Sequence, residues 1–211
     1  MPLFVKICGI TSVDDAHAAL DCGVDALGLN FYAPSPRCVA VARATEITNA
    51  IGTRALKVGV FVNASYEEIT AIDAAVGLDL IQLHGDEPAK LCARWPGRVI
   101  KACRLQTTKN VDCLADYAGV RMLLLDAAVG GAYGGTGVRA DWQLARTAKR
   151  HGVPVLLAGG LTPENVADAV RVVAPFGVDT ASGVESAPGR KDASKMQAFV
   201  AAARAAGDAC V

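Results

Sequence analysis

Short apolar runs alternate with longer amphipathic or alanine-rich stretches along the whole chain. The apolar runs are rich in Val, Ile and Leu and recur at intervals of roughly 20–30 residues, which is typical of a repeated supersecondary unit. They predict buried β-strands at 4–8, 24–31, 55–62, 78–84, 99–104, 121–126, 153–158 and 178–183. The stretches between them predict helices at about 12–22, 39–51, 65–76, 86–94, 109–117, 141–151, 163–174 and 191–206.

Eight strands that alternate with eight helices predict one parallel sheet, either open or closed. Alignment of the strands favours a closed sheet, because odd and even strands follow different patterns. The odd strands align as Val5-Lys6-Ile7-Cys8, Leu56-Lys57-Val58-Gly59, Ile100-Lys101-Ala102-Cys103 and Val155-Leu156-Leu157-Ala158, and the even strands align Asn30, His84, Asp126 and Val184 at one level. A barrel filled in layers by alternate strands explains this difference. We therefore predict a single-domain (β/α)8 TIM barrel of eight parallel strands over residues 1–211.

Two features of the strand alignment need an explanation from the structure. Lys6, Lys57 and Lys101 would share one layer if every aligned strand faced inward. Buried ammonium groups are costly without carboxylate partners, so either such partners are present or a strand faces the other way. Three even strands also open with a shared signature, Gly23-Val24-Asp25, Gly77-Leu78-Asp79 and Gly177-Val178-Asp179.

Composition excludes several classes of protein. The chain is 52% apolar, and its 21 Lys and Arg residues balance its 21 Asp and Glu residues. With no basic block, a nucleic-acid or membrane-surface partner has little electrostatic support. The N-terminus lacks the features of a signal peptide, and no apolar run approaches the ~20 residues that span a bilayer. Seven scattered cysteines without a Cys-x-x-Cys pair favour reduced thiols in the cytoplasm over a disulfide framework or a zinc site.

Polar and glycine residues cluster where the predicted strands end, which is where barrel enzymes carry their chemistry. These positions are Cys8-Gly9, Asn30-Phe31, Asn63, His84-Gly85, Arg104, Asp126, Gly159-Gly160 and Ser182-Gly183. A purely structural rim needs far fewer polar groups. The sequence therefore indicates an active site at this end of the barrel.

The glycines after strands seven and eight predict a phosphate site. Gly159 and Gly160 follow the seventh strand, and Ser182 and Gly183 follow the eighth. Loops at these two positions commonly bind phosphate, since glycine amides can approach its oxygens closely. The alternative is that they only form tight turns. Five glycines within residues 130–137 suggest a lid, or else a surface loop. The chain contains neither a dinucleotide-binding Gly-x-Gly-x-x-Gly after its first strand nor a P-loop, and we expect no cofactor and no metal.

Longer motifs in the chain resemble those of the phosphoribosylanthranilate isomerases of tryptophan biosynthesis. The resemblance covers residues 4 to about 200. It rests on Val5-Lys6-Ile7-Cys8-Gly9-Ile10-Thr11, Gly28-Leu29-Asn30-Phe31, Ser35-Pro36-Arg37, Val58-Gly59-Val60-Phe61-Val62-Asn63, Ile81-Gln82-Leu83-His84-Gly85-Asp86-Glu87, Leu124-Leu125-Asp126, Gly134-Gly135-Thr136-Gly137, Asp141-Trp142, Leu157-Ala158-Gly159-Gly160-Leu161-Thr162-Pro163-Glu164-Asn165-Val166 and Ser182-Gly183-Val184-Glu185.

The resemblance implies an Amadori rearrangement of a phosphorylated aminosugar, without a cofactor. It implies that Cys8 is the general base and Asp126 the general acid, and that Arg37 binds the anthranilate carboxylate. It also implies substrate contacts by Asn30, Gln82, His84 and Gly135 and phosphate contacts by the turns after strands seven and eight. The expected partner is a small phosphorylated substrate, and the protein is expected to be a monomer or a dimer. Lys6 and helix N-termini are candidates for helping Cys8 to ionise.

Alternative interpretations remain open from the residues alone. Cys103 aligns with Cys8 and is the rival for the base, His84 either contacts the ligand or is a hydrogen-bonded barrel residue, and Arg37 could be a surface residue. Asp126 could cap a loop. Another phosphosugar isomerase or epimerase and a non-catalytic phosphate-binding barrel are the competing classes. The related histidine-pathway isomerases use aspartate where this chain has Cys8, and metal-dependent epimerases need more histidines than the three present.

Overall fold

Eight parallel strands close into a barrel, as predicted. The computed structural model describes residues 2–105, 107, 111–127 and 142–209. The strands are β1 (Phe4–Cys8), β2 (Ala26–Asn30), β3 (Leu56–Phe61), β4 (Leu80–Leu83), β5 (Val99–Leu105), β6 (Met122–Ala127), β7 (Val155–Leu157) and β8 (Gly177–Thr180). Each strand pairs in parallel with the next, and β8 pairs with β1 through the register Val5 to Val178. This last pairing makes the sheet a closed barrel.

Helices follow most of the strands and surround the barrel. They are α1 (Val13–Asp21), α2 (Val41–Ile51), α3 (Tyr66–Val76), α4 (Ala89–Cys92), α5 (Trp142–Ala148), α6 (Val166–Val173) and α7 (Ala193–Asp208). Ser12 and Ser65 accept hydrogen bonds from backbone amides three residues later, which fixes the starts of α1 and α3. In the part of the chain that the structure describes, no helix is long and apolar enough to cross a bilayer.

Several predicted helices differ from the observed ones. In the described part of 109–117, Val111 and Asp112 are α-helical and Cys113–Tyr117 form a 3-10 helix. The predicted helix at 163–174 begins only at Val166, because Asn165 closes the preceding turn. Its Oδ1 accepts from the Thr162 amide at 2.9 Å, and its Nδ2 donates to the Gly160 carbonyl at 2.9 Å. The Asn165 side chain thus shapes the loop after β7 before the helix starts.

The end of the eighth strand also departs from the prediction. β8 stops at Thr180, and Ser182–Val184 form a 3-10 turn. Val184 is therefore not level with Asp126, and the alignment that placed it there was wrong. A short hairpin follows, formed by β9 (Glu185–Ala187) and β10 (Arg190–Lys191).

The core has two parts, one inside the barrel and one between the barrel and its helices. Side chains alternate between them along each strand, as strand geometry requires. The interior part contains Ala26, Val58, Leu80, Ile100, Ala102, Met122, Leu124, Leu156 and Ala158. The larger outer part includes Ile7, Leu27, Ile81 and Phe199.

This alternation shows which way each of the three aligned lysines faces. Lys6 points into the barrel, where it is fully buried and its Nζ lies 2.8 Å from Asp179 Oδ1. Val58, Ile100 and Ala102 also face inward, so the intervening Lys57 and Lys101 face outward. The odd strands had been aligned one residue out of register on β3 and β5. Cys103 consequently faces away from the interior, and its predicted equivalence to Cys8 is wrong.

The shared Gly-x-Asp signature has two different outcomes. Asp25 and Asp79 lie just before β2 and β4, where each accepts from a backbone amide of the preceding strand, at 2.7 and 2.8 Å respectively. Asp179 instead lies inside the barrel. The cause is register, since β2 and β4 begin three residues after the signature glycine whereas β8 begins at Gly177 itself.

We predict that Asp179→Asn destabilises the protein far more than Asp79→Asn. Asp179→Asn leaves the buried Lys6 ammonium without its carboxylate partner, and breaking such a pair costs about 3 kcal/mol or more. Asp79 pairs with Lys57 at 3.6 Å with its side chain 38% exposed, so its loss should cost less than about 1 kcal/mol. Urea unfolding of both variants measures the difference. Equal losses would contradict the buried pair.

Candidate active site

A cleft opens at the carboxyl ends of the strands and brings together residues from most of the barrel. Eight of the predicted site residues line it: Cys8, Asn30, Arg37, His84, Asp126, Gly159, Gly160 and Ser182. Gln82 lies below it, fully buried, and Gly183 lies behind Ser182. Gly135 and the lid predicted at 130–137 fall outside the described residues.

Cys8 ends β1 at the floor of the cleft, and its place depends on a glycine on the neighbouring strand. A Cβ atom at Gly28 would lie 2.8 Å from Cys8 Sγ and 3.2 Å from Lys6 Nζ. Any larger residue at position 28 would therefore displace the thiol. The same geometry shows that the Lys6 ammonium and the thiol lie around one small space inside the barrel.

Burial raises the pKa of the Cys8 thiol above its ordinary value, and Lys6 and Lys191 offset only part of that effect. Of the candidates for helping Cys8 to ionise, Lys6 does lower the thiol pKa, but by less than burial raises it. Burial also works against the charge on Lys6, but Asp179 and Cys8 raise the Lys6 pKa above its usual range. Lys6 therefore stays protonated, and its charge is the nearest stabiliser of a Cys8 thiolate.

Asp126 is the second-last residue of β6 and is buried beside His84. Its Oδ2 lies 3.2 Å from His84 Nε2, and the other ring nitrogen, Nδ1, lies 2.8 Å from Gln82 Nε2. His84 thus both lines the cleft and contacts the carboxyl that was predicted to be the acid. Both roles considered for His84 agree with this geometry, since the ring is hydrogen-bonded on both sides and also lines the cleft, and its contact with a ligand stays a prediction.

Arg37 already faces a carboxylate of its own chain. Its Nε and Nη2 donate to Glu185 Oε1 and Oε2 at 2.8 and 2.7 Å. Lys191 Nζ lies 2.9 Å from the same carboxylate. Burial raises the pKa of Glu185, but Arg37 and Lys191 outweigh it and the net pKa is lowered. Glu185 therefore remains an anion that fixes the guanidinium at the edge of the cleft.

The two glycine turns form one wall of the cleft. Gly159 and Gly160 both have positive φ angles, 87° and 66°, which glycine adopts without strain. Thr180 Oγ1 donates to the Leu161 carbonyl at 2.7 Å, and a Cβ at Gly183 would collide with that same carbonyl. The loops after β7 and β8 are thereby packed against each other, with amides and Ser182 beside the cleft.

Cys103 lies in a different environment from Cys8. It lines a second depression with Tyr117, and the two depressions share a wall formed by His84 and Asp126. Burial raises the pKa of Cys103 to about 11. It does not line the cleft that contains the glycine turns. Within the described ranges, no group of three or more His, Cys, Asp or Glu side chains is arranged to bind a metal ion.

Sequence reasoning missed the roles of Asp179 and Glu185 and left the partner of Lys6 open. The spacing of Lys6 and Cys8, two residues apart on one strand, was a usable signal that both face inward. Asp179 was hidden by its signature, which equated it with Asp25 and Asp79. Glu185 lay within a recognised motif, but nothing in the sequence linked it to Arg37, 148 residues away.

The fold and the cleft define a (β/α)8-barrel enzyme, with its thiol, buried carboxyl and paired glycine turns at the end of the barrel that carries catalysis. Comparison with known proteins identifies the family. The model of the N-(5'-phosphoribosyl)anthranilate (PRA) isomerase family matches residues 5–202. The chain therefore belongs to the N-(5'-phosphoribosyl)anthranilate isomerase family.

Individual relatives agree with the family model. The N-(5'-phosphoribosyl)anthranilate isomerase of Geobacter metallireducens is 48% identical over 201 residues, which cover 95% of this chain and 98% of the relative. That of Magnetococcus marinus is 49% identical over 208 residues, 99% of this chain and 98% of the relative.

Solved structures show the same barrel. Phosphoribosyl anthranilate isomerase from Thermotoga maritima superposes with a TM-score of 0.89 at 36% identity, covering 96% of this chain and 99% of that one. A phosphoribosyl anthranilate isomerase in complex with reduced 1-(o-carboxyphenylamino)-1-deoxyribulose 5-phosphate gives a TM-score of 0.85 at 36% identity, with the same coverage.

We predict that Lys6→Met slows alkylation of Cys8 by iodoacetamide at a fixed pH near 8. Removing the ammonium removes the larger of the two lysine charges that oppose the effect of burial, so the thiol pKa rises further and the reactive thiolate becomes scarcer. A charge at close range in a protein interior is worth more than one pH unit, so the rate should fall at least about tenfold. Mass spectrometry of the Cys8 peptide measures it.

Lys57→Met is the matched control, because Lys57 lies on the outside of the barrel, half-buried beside Asp79. It should leave alkylation of Cys8 unchanged, and Cys22 provides an internal reference in all samples. An unchanged Cys8 rate in a folded Lys6→Met protein would show that Lys6 does not act on the thiol.

Proposed function

We propose that the cleft converts N-(5-phosphoribosyl)anthranilate to 1-(2-carboxyphenylamino)-1-deoxyribulose 5-phosphate, with Cys8 as general base and Asp126 as general acid. The observation that carries the proposal is their joint position. Cys8 is the last residue of β1 and Asp126 the second-last of β6, and both line a cleft that they share with the glycine turns after β7 and β8. A sugar bound there by its phosphate would lie between the thiol and the carboxyl.

The rearrangement needs one proton delivered and another removed. Asp126 protonates the furanose ring oxygen, the bond from that oxygen to C1′ breaks, and C1′ forms a Schiff base with the anthranilate nitrogen. Cys8 then removes the C2′ proton, and its electron pair moves toward nitrogen to give an enolamine that tautomerises to the ketone. A raised thiol pKa makes Cys8 scarcer as thiolate but more basic once ionised, which suits removal of a carbon-bound proton.

Lys6 supports the base in this scheme. Its fully buried ammonium, held by Asp179, stabilises the negative charge on Cys8 before the thiolate removes the C2′ proton. Such a preorganised charge costs no rearrangement at the moment of reaction. The Lys6–Asp179 pair therefore acts on Cys8 and does not contact the substrate.

Binding divides between the two ends of the substrate. The amides of the Gly159-Gly160 turn and the Ser182 turn suit a phosphate, since both turns lie beside the cleft. Arg37 suits the anthranilate carboxylate. Because Glu185 engages its Nε and Nη2, the substrate would use Nη1, and Glu185 would hold the guanidinium in that orientation.

A cytoplasmic location follows from the same chemistry. Cys8 acts as a base only as a free thiol, and reducing compartments keep thiols free. All six cysteines among the described residues are free. The eight strands form one closed barrel, which supports a single folded domain.

Cys8→Ser and Asp126→Asn should each lower turnover by about 10²–10⁴-fold, because each removes a group that transfers a proton. The decay of substrate fluorescence, followed with EDTA present, measures the rate. Circular dichroism checks that both variants keep the barrel.

Cys103→Ser is the matched control for the thiol. Its side chain lies outside the cleft, so the variant should retain wild-type turnover. Full activity in Cys8→Ser, or loss of activity in Cys103→Ser instead, would overturn the assignment of the base.

A further inference from the structure

Gln82 is a buried polar residue that the mechanism above does not use. It is fully buried in the barrel interior, and its register partners on the neighbouring strands, Val60 and Ile100, are both apolar. Among the described residues, its Oε1 has no hydrogen-bond partner. Burying an amide in apolar surroundings is costly, so the burial of Gln82 requires a reason. Its one side-chain hydrogen bond to a described residue is the bond to His84.

The contact determines which nitrogen of His84 carries the proton. An amide nitrogen can only donate, so Gln82 Nε2 at 2.8 Å from Nδ1 requires Nδ1 to accept. A neutral His84 must then carry its proton on Nε2. That N–H faces Asp126 Oδ2 at 3.2 Å and donates to it.

We propose that Gln82 is a positioning residue that fixes the Nε2–H tautomer of His84 and thereby directs the hydrogen bond from His84 to Oδ2 of Asp126. With Oδ2 accepting from His84, the proton that Asp126 transfers is carried on Oδ1. When that proton leaves for the substrate, the His84 N–H stabilises the carboxylate that remains. In this proton transfer Asp126 is the only protein group that changes its protonation state, and His84 keeps its proton.

This inference rests on the proposed function for the role of Asp126 but not for the tautomer itself. The same division of labour, in which a buried partner fixes a histidine tautomer for a third group, is worth several orders of magnitude in catalytic triads. Here the partner is neutral, so it orients the ring without adding charge to the site.

The tautomer can be read directly by 15N NMR of protein labelled at histidine, at about pH 8, where unperturbed histidine rings are neutral. The chain has three histidines. His17 in α1 and His151 after α5 lie outside the barrel, so a signal that changes only when Gln82 is substituted belongs to His84. We expect a single His84 tautomer protonated at Nε2. In Gln82→Met, which cannot donate to Nδ1, the preference for the Nε2–H tautomer should be lost, while the other two histidines stay unchanged.

Turnover supplies a second readout. Gln82→Met should lower kcat about tenfold or more with KM within about twofold, as for other residues that orient a catalytic group. If Gln82 acts only through His84, the same substitution should have no further effect in a His84→Ala background. Gln197→Met, on the exposed face of α7, is the matched control and should behave as wild type.

Two results would overturn the inference: a wild-type His84 protonated at Nδ1, or equal losses from Gln82→Met with and without His84. The ring protonation state is measured without turnover. An active Asp126→Asn protein would therefore refute the proposed acid while leaving the test of Gln82 intact.

Discussion

The ion pair between Lys6 and Asp179 is the constraint on which the site depends. It joins β1 to β8, the two strands whose pairing closes the barrel, and it lies fully buried in the interior. A charge pair there gives little net stability, because desolvation offsets most of the attraction. Its value is chemical, since it keeps a positive charge beside a thiol whose burial opposes ionisation.

The alternation of side chains along the strands places the buried ion pair directly beneath the reactive groups of the site. Cys8 follows Lys6 on the same face of β1, and His84, one residue past the end of β4, follows Gln82. Cys8 and His84 face the cleft, and the residue two positions earlier lies beneath each of them. The barrel thus supplies Cys8 and His84 each with a buried partner two residues earlier in the chain.

Sequence periodicity predicted the fold well and the register less well. Strand alternation is encoded locally, so eight strands and a closed barrel followed from apolar runs and from the different patterns of odd and even strands. Which face Lys57 and Cys103 take depends on where each strand enters the barrel, and a shift of one residue reverses it. The alignment was one residue out on β3 and β5, and Cys103 was misplaced for that reason.

The site was predictable where one residue type marks it and hidden where partners are distant in sequence. Strand-end positions located Cys8, Asp126 and the glycine turns. The bidentate contact of Arg37 with Glu185 joins a loop after β2 to the hairpin after β8, and only the closed fold brings them together. Asp179 was obscured because its signature is shared by two aspartates that bind strand backbones instead.

A crystal structure of the protein with a reduced analogue of the product bound is the most direct test of the roles of Cys8 and Asp126. We expect the phosphate on the turns of Gly159-Gly160 and Ser182, C2′ within about 3.5 Å of Cys8 Sγ, and a sugar oxygen hydrogen-bonded to Asp126. A sugar whose C2′ faces away from Cys8, or that lies outside the space between Cys8 and Asp126, would contradict it.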